Sequence, residues 1–183
     1  GVTPDICSLA KIVGGGLPAG AVAGKKEIID TIEIGQDQRI AHYGTFNANP
    51  LSAAAGIATL NMLSTQPINK SANNAAKKLQ TGLNDLLSKL EITGTSTAIG
   101  AAVMLYIGIH FDHNDPEIVL TPEQEEISNN TIISHQLKLA MYNNGIDGVP
   151  RFLLSGIHSN QDIEETLNAT EKSLIQMQTE KII

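Results

Sequence analysis

Apolar residues recur at three- and four-residue spacing in two stretches of the chain. Ala72, Ala76, Leu79, Leu83, Leu86 and Leu90 form one stripe, with Lys77, Lys78 and Asp85 on the opposite side. Ile163, Leu167, Leu174 and Met177 form the second. This spacing gathers the apolar side chains on one helical face and predicts two amphipathic helices. Ser159-Asn160-Gln161-Asp162, an N-cap with an acidic residue three positions on, opens the later one. Thr121-Pro122-Glu123-Gln124 is a second capping box, predicting a helix that runs towards Met141 and stops near Gly145. Gly100 to Ile109, with Val103, Leu105, Tyr106, Ile107 and Ile109, predicts a buried strand, and Arg151 to Gly156 another. The second half thus reads helix, strand, helix, strand, helix, which suits a small α+β domain.

The first sixty residues follow a different pattern. A mixed apolar stretch, Asp5 to Lys11, ends at Gly14-Gly15-Gly16, and Leu17-Pro18-Ala19-Gly20 leads into Ala21-Val22-Ala23-Gly24. Two short strands around a glycine loop fit this stretch, because each glycine would weaken a helix by about 1 kcal/mol. Lys25 to Ile32 predicts a short helix and Gly35 to Asn49 a long irregular loop. Asn49-Pro50 is a cap followed by Pro at the first helical position. The helix it opens, Leu51 to Leu63, carries Ala53, Ala54, Ala55, Gly56 and Ala58, small enough for close backbone packing. A deeply buried helix is expected there. The segment is short of core of its own and reads as part of a larger domain.

Composition narrows the function classes. A net charge of -7 and 3% aromatic residues argue against phosphate-backbone binding and against stacking platforms for single strands. The single Cys7 excludes an intramolecular disulfide and zinc-ligand spacing, and a cytoplasmic setting is the simplest reading. No apolar run approaches the roughly 20 residues of a membrane span, so no membrane partner is expected. The chain starts at Gly1 without Met, which reads as a fragment or a processed product.

Candidate chemistry centres on Lys11. Lys11 stands just before the glycine run, and glycines there let the backbone turn sharply beside it. Taken alone, a solvated lysine beside a glycine turn is the commoner reading. Gly44 and Thr45 offer an N–H and a hydroxyl suited to phosphate, and equally a plain turn ahead of a helix. Asn49 reads as a cap. His42 has no evident carboxylate partner, and His135 and His158 carry no functional signal. His110, Asp112, His113 and Asp115 read as a solvated turn rather than a metal site. Arg151 is a conceivable carboxylate clamp, but its surroundings, Val149-Pro150-Arg151-Phe152, do not support assigning that role.

Two segments carry a family resemblance. Pro4-Asp5-Ile6-Cys7-Ser8-Leu9-Ala10-Lys11-Ile12-Val13-Gly14-Gly15-Gly16-Leu17-Pro18 resembles the cofactor-lysine segment of the class III aminotransferases. His42-Tyr43-Gly44-Thr45-Phe46-Asn47-Ala48-Asn49-Pro50 is similar to that family's Gly-Thr-Phe, Asn-Pro motif, nearest its glutamate-1-semialdehyde aminomutase branch. The ending, with Ser155, His158 and Asp162-Ile163-Glu164, also follows the family. The resemblance implies an α/β fold: the C-terminal part of a pyridoxal-phosphate-dependent transferase of fold type I. Residues 1–63 would then belong to the large cofactor domain, and 64–183 would form a small α+β C-terminal domain. It implies pyridoxal 5'-phosphate held on Lys11 as a Schiff base, with Gly44 and Thr45 reaching the phosphate from the neighbouring subunit of a homodimer.

The implied reaction is amino-group transfer on a small amino or semialdehyde substrate. An aminomutase, a transaminase with another donor, and an inactive remnant serving only subunit association all stay open. The family's aspartate on the pyridinium nitrogen would precede Gly1, so this chain alone is expected to be weak or inactive.

Overall fold

The computed structural model describes residues 1–35, 37–115, 117–147 and 150–183. The chain divides into two compact units, Gly1–Pro67 and Ile68–Ile183.

In the first unit, strands β1 (Ile6–Ala10) and β2 (Gly20–Gly24) pair antiparallel, from Ile6 opposite Gly24 to Ala10 opposite Gly20. Between them the chain makes a short 3₁₀ turn, Lys11–Gly14. The open end of the hairpin is fastened twice: the Lys25 N–H donates to the Asp5 carbonyl at 2.9 Å, and its amine pairs with the Asp5 carboxylate at 2.5 Å. Helix α1 (Lys26–Ile29) runs into a 3₁₀ turn at Asp30–Ile32, as the Lys25–Ile32 pattern predicts. Helix α2 (Pro50–Thr65) starts where expected, its Asn49 Oδ1 accepting from the N–H groups of Leu51 (3.0 Å) and Ser52 (3.1 Å).

The expected deep burial of α2 is not met. Only Gly56 is buried, while Ile57 is 62% and Leu60 50% exposed. Its apolar residues are spread around the whole helix, and the Lys11–Gly14 turn covers one side of it. An all-round apolar helix is suited to burial on every side, and the described residues of this unit supply only part of that cover.

The second unit is a three-stranded antiparallel sheet, β3 (Gly94–Ile99), β4 (Ala102–Ile107) and β5 (Arg151–Leu153), in that order. Helix α3 (Ile68–Lys89) lies on it, and α6 (Asn160–Thr179) packs against α3 and against α5 (Thr131–Asn143). Val103, Leu105 and Ile107 alternate inward from β4, as period-two patterning requires, to meet Leu79, Leu83, Leu137, Met141, Leu174 and Met177. Most of both predicted stripes is therefore core, but Leu86 is only half-buried and its neighbour Leu87 takes the core position, while Lys77, Lys78 and Asp85 are exposed as expected.

Two expectations for this unit need correction. The stretch ahead of the predicted strand is itself a strand, β3, joined to β4 by a two-residue turn in which Gly100 takes φ 58°. The helix predicted from Thr121 to near Gly145 is two helices. Its capping box forms, but α4 (Pro122–Ser128) ends, and the Asn130 side chain caps α5 by accepting from Ile132 and Ile133. Asn side chains compete with the helical ladder for backbone N–H groups, and here that competition restarts the helix.

Candidate active site

Lys11 stands where β1 ends and the glycine turn begins. Ala10 is extended (φ -150°, ψ -172°), and Lys11 then adopts φ 58°. A left-handed backbone costs a residue with a Cβ roughly 1–2 kcal/mol, so surrounding structure must hold it there. The turn is closed by the Gly15 N–H donating to Ile12 O (3.0 Å) and the Leu17 N–H to Gly14 O (3.1 Å). Gly15 is also left-handed, at φ 61°, and lies against α2: a Cβ built on it would sit 2.5 Å from the Ala55 carbonyl oxygen. On the helix side, a Cβ on Gly56 would sit 2.5 Å from the Val13 carbonyl oxygen. Two glycines, one on each side, permit a backbone-on-backbone contact directly behind Lys11.

The Lys11 side chain is exposed and makes no hydrogen bond or ion pair with any described residue. Lys26 in the same unit differs. Its amine donates to Asp30 at 2.6 Å, and that hydrogen bond, with the carboxylate charge, raises it above the usual lysine range.

Gly44 and Thr45 lie in the exposed loop before α2. The Asn47 N–H donates to Gly44 O at 3.0 Å and the Asn49 N–H to Phe46 O at 3.2 Å, two turns that deliver the chain to the Asn49 cap. A Cβ at Gly44 would meet only the Asn47 side-chain amide, which is exposed and can swing aside. The Thr45 hydroxyl is engaged by no described residue. The structure places Gly44-Thr45 and Lys11 in one unit, with no hydrogen bond joining them.

Other candidates resolve into local structure. Asp112 and Asp115 accept from the N–H groups of Asn114 and Glu117, each at 2.9 Å, as turn-forming side chains. Among the described residues no three His, Cys, Asp or Glu side chains form a metal-binding group. His158 Nδ1 accepts from the Ser155 N–H at 2.9 Å and closes the turn before α6, a role its sequence context did not reveal. His42, His135 and Arg151 are exposed. The left-handed Lys11 backbone and the Gly15–Gly56 contact were also not evident from sequence. The only hints were the small residues around position 56.

The chemistry of these groups fits pyridoxal phosphate. Lys11 offers an amine without a competing carboxylate among the described residues. A Cβ on Gly16 would meet nothing within 4 Å, so there is open space along the turn. Thr45 and the Gly44 backbone offer phosphate donors.

The family model for class III aminotransferases matches residues 1–131. The chain is 44% identical over 108 residues to the glutamate-1-semialdehyde 2,1-aminomutase of Sulfurisphaera tokodaii, covering 59% of this chain and 25% of that protein. With the enzyme of the same name from Pyrobaculum aerophilum it shares 32% identity over 184 aligned positions, 98% of this chain and 41% of the relative. An omega-transaminase from Sphaerobacter thermophilus is similar in structure, with a TM-score of 0.78 at 25% identity, over 97% of this chain and 40% of that one. The chain thus spans between a quarter and about two fifths of the length of these curated relatives. A family match over most of the chain, with a structural likeness of the same extent, places this protein in the class III aminotransferases, a pyridoxal-phosphate-dependent family of fold type I.

Proposed function

We propose that this chain carries the cofactor lysine of an amino-group-transferring enzyme, with Lys11 in that role and a reaction like that of glutamate-1-semialdehyde aminomutase. One observation carries the reading: Lys11 is a non-glycine residue in the left-handed region, next to a glycine turn, with no described partner for its amine. The proposal also takes residues 1–63 as part of the cofactor domain and residues 64–183 as the small C-terminal domain.

Lys11 holds the cofactor aldehyde through its amine. The Gly44 N–H and Thr45 hydroxyl bind phosphate oxygens in the neighbouring subunit of a homodimer, a reading that rests on the Gly-Thr-Phe, Asn-Pro motif. Bound pyridoxal phosphate supplies the electron sink for charge developing beside the substrate amine. With pyridoxal phosphate bound, the Lys11 amine would also be the group to carry a proton to and from the substrate carbon. The working compartment is the cytoplasm.

The test is borohydride reduction after incubation with pyridoxal phosphate, followed by peptide mass spectrometry. Label on the peptide containing Lys11 is expected, and its absence from cofactor-treated protein refutes the assignment. Turnover of glutamate-1-semialdehyde with no added amino acceptor is expected of an aminomutase. A strict need for an acceptor would make the enzyme a transaminase instead.

A further inference from the structure

The feature of unit 1 still without a purpose is the single buried position of α2. Glycine inside a helix is unfavourable by ~1 kcal/mol relative to alanine, yet Gly56 occupies the middle of α2 between Ala55 and Ile57. Its missing side chain is where the Val13 carbonyl oxygen lies, 2.5 Å from the position a Cβ would take. From the other side, Gly15 abuts the Ala55 carbonyl, and the Thr59 hydroxyl is 2.8 Å from where its Cβ would be. Val13 and Gly15 flank Gly14, three residues after Lys11. We infer that Gly56, with Ala55 and Thr59, forms a backstop on α2 that fixes the left-handed Lys11 turn. Gly56 is then a positioning residue, acting on the reaction through Lys11 without touching substrate.

The physical argument rests on which parts can yield. Both contacts are to backbone oxygen, which cannot swing aside as a long side chain would. A methyl group at position 56 must push the turn off the helix, and the conformation held at Lys11 relaxes with it. The effect on helix α2 has the opposite sign, since alanine is the better helix former. A residue kept only for the helix would therefore be improved by Gly56→Ala, whereas a backstop would be broken by it.

The inference rests on the proposed role of Lys11, and its test separates the two. In the cofactor-free protein, amide exchange at Gly15 and Leu17, whose N–H groups close the turn, should quicken in Gly56→Ala by roughly tenfold or more, as overpacking against backbone implies. Borohydride-fixed pyridoxal phosphate on Lys11 should fall in parallel. Gly15→Ala, which attacks the same contact from the turn, should do likewise. Ala54→Gly, on the exposed side of α2, weakens the helix without touching the turn and should keep both the protection and the label. Unchanged Gly15 and Leu17 exchange in Gly56→Ala, or equal loss of label in Ala54→Gly, overturns the backstop. If the unsubstituted protein takes no label, the role of Lys11 falls, and the exchange measurement still decides the backstop.

Discussion

Strand β3 is an edge strand, and its outer side is paired by side chains instead of another strand. Asn84 on α3 accepts from the Ser96 N–H at 2.8 Å and donates to the Ser96 carbonyl at 2.9 Å, and Gln80, one turn earlier, donates to the same carbonyl at 3.2 Å. The register agrees, because Leu105, opposite Ser96, donates its own N–H to Pro150 O across the sheet. The two side chains are therefore unequal. Asn84→Leu keeps the branching of the side chain and leaves the Ser96 N–H without a described partner, which costs about 1–3 kcal/mol for a buried group. Asn84 is only partly buried, so we expect the lower half, about 1–2 kcal/mol. Gln80→Met removes one of two donors to an oxygen that stays satisfied, and should cost less than about 1 kcal/mol. Urea unfolding of both variants, followed by circular dichroism, gives the comparison, and amide exchange at Ser96 gives the local reading. Asn84→Leu should also self-associate more readily, since its edge is unguarded. A Gln80→Met loss equal to or larger than that of Asn84→Leu would refute the reasoning.

Asn130→Ala should remove the cap that restarts the helix, costing about 1 kcal/mol, with faster amide exchange at Ile132 and Ile133 as the check. Asp162 accepts from the Ser159 N–H at 2.6 Å and hydroxyl at 2.8 Å, and those bonds, the N–H first, hold its carboxyl below the ordinary value of 3.8. A lowered folded-state pKa gives stabilisation that is complete above the unfolded value and lost as pH falls through the folded one, so the loss should begin below about pH 4. Asp162→Asn should show a flatter acid-unfolding curve than the unsubstituted protein in that range, and identical curves would count against this capping role.

The candidate site was legible in part. Taken alone, Lys11 reads as a solvated lysine beside a glycine turn and Gly44-Thr45 equally as a plain turn; the two longer segments that resemble a known family are what single them out. The Asn49, Thr121 and Ser159 caps were legible because each is a contact within three residues. Strand β3 was not. Its Thr95 and Ser96 read as polar, yet both are buried, satisfied by Ile109, Phe111, Met104, Gln80 and Asn84, partners from 8 to 16 residues away. The break at Asn130 was missed although Ser128-Asn129-Asn130-Thr131 interrupts the apolar spacing between Ile127 and Ile132, and Asn130 is itself a residue suited to an N-cap.

By itself, then, the sequence determined what depends on neighbours along the chain: most helix faces, the caps and the turn after β1. The left-handed Lys11, the Gly15–Gly56 contact, the paired edge of β3 and the exposure of α2 were decided by tertiary structure. Each depends on which groups meet across 8 to 43 residues of chain, and hydrophobic periodicity does not encode that. Gly56 shows the division most plainly. In sequence it is a poor helix residue; in the fold it is the one position of α2 where a carbonyl from the Lys11 turn can come to rest.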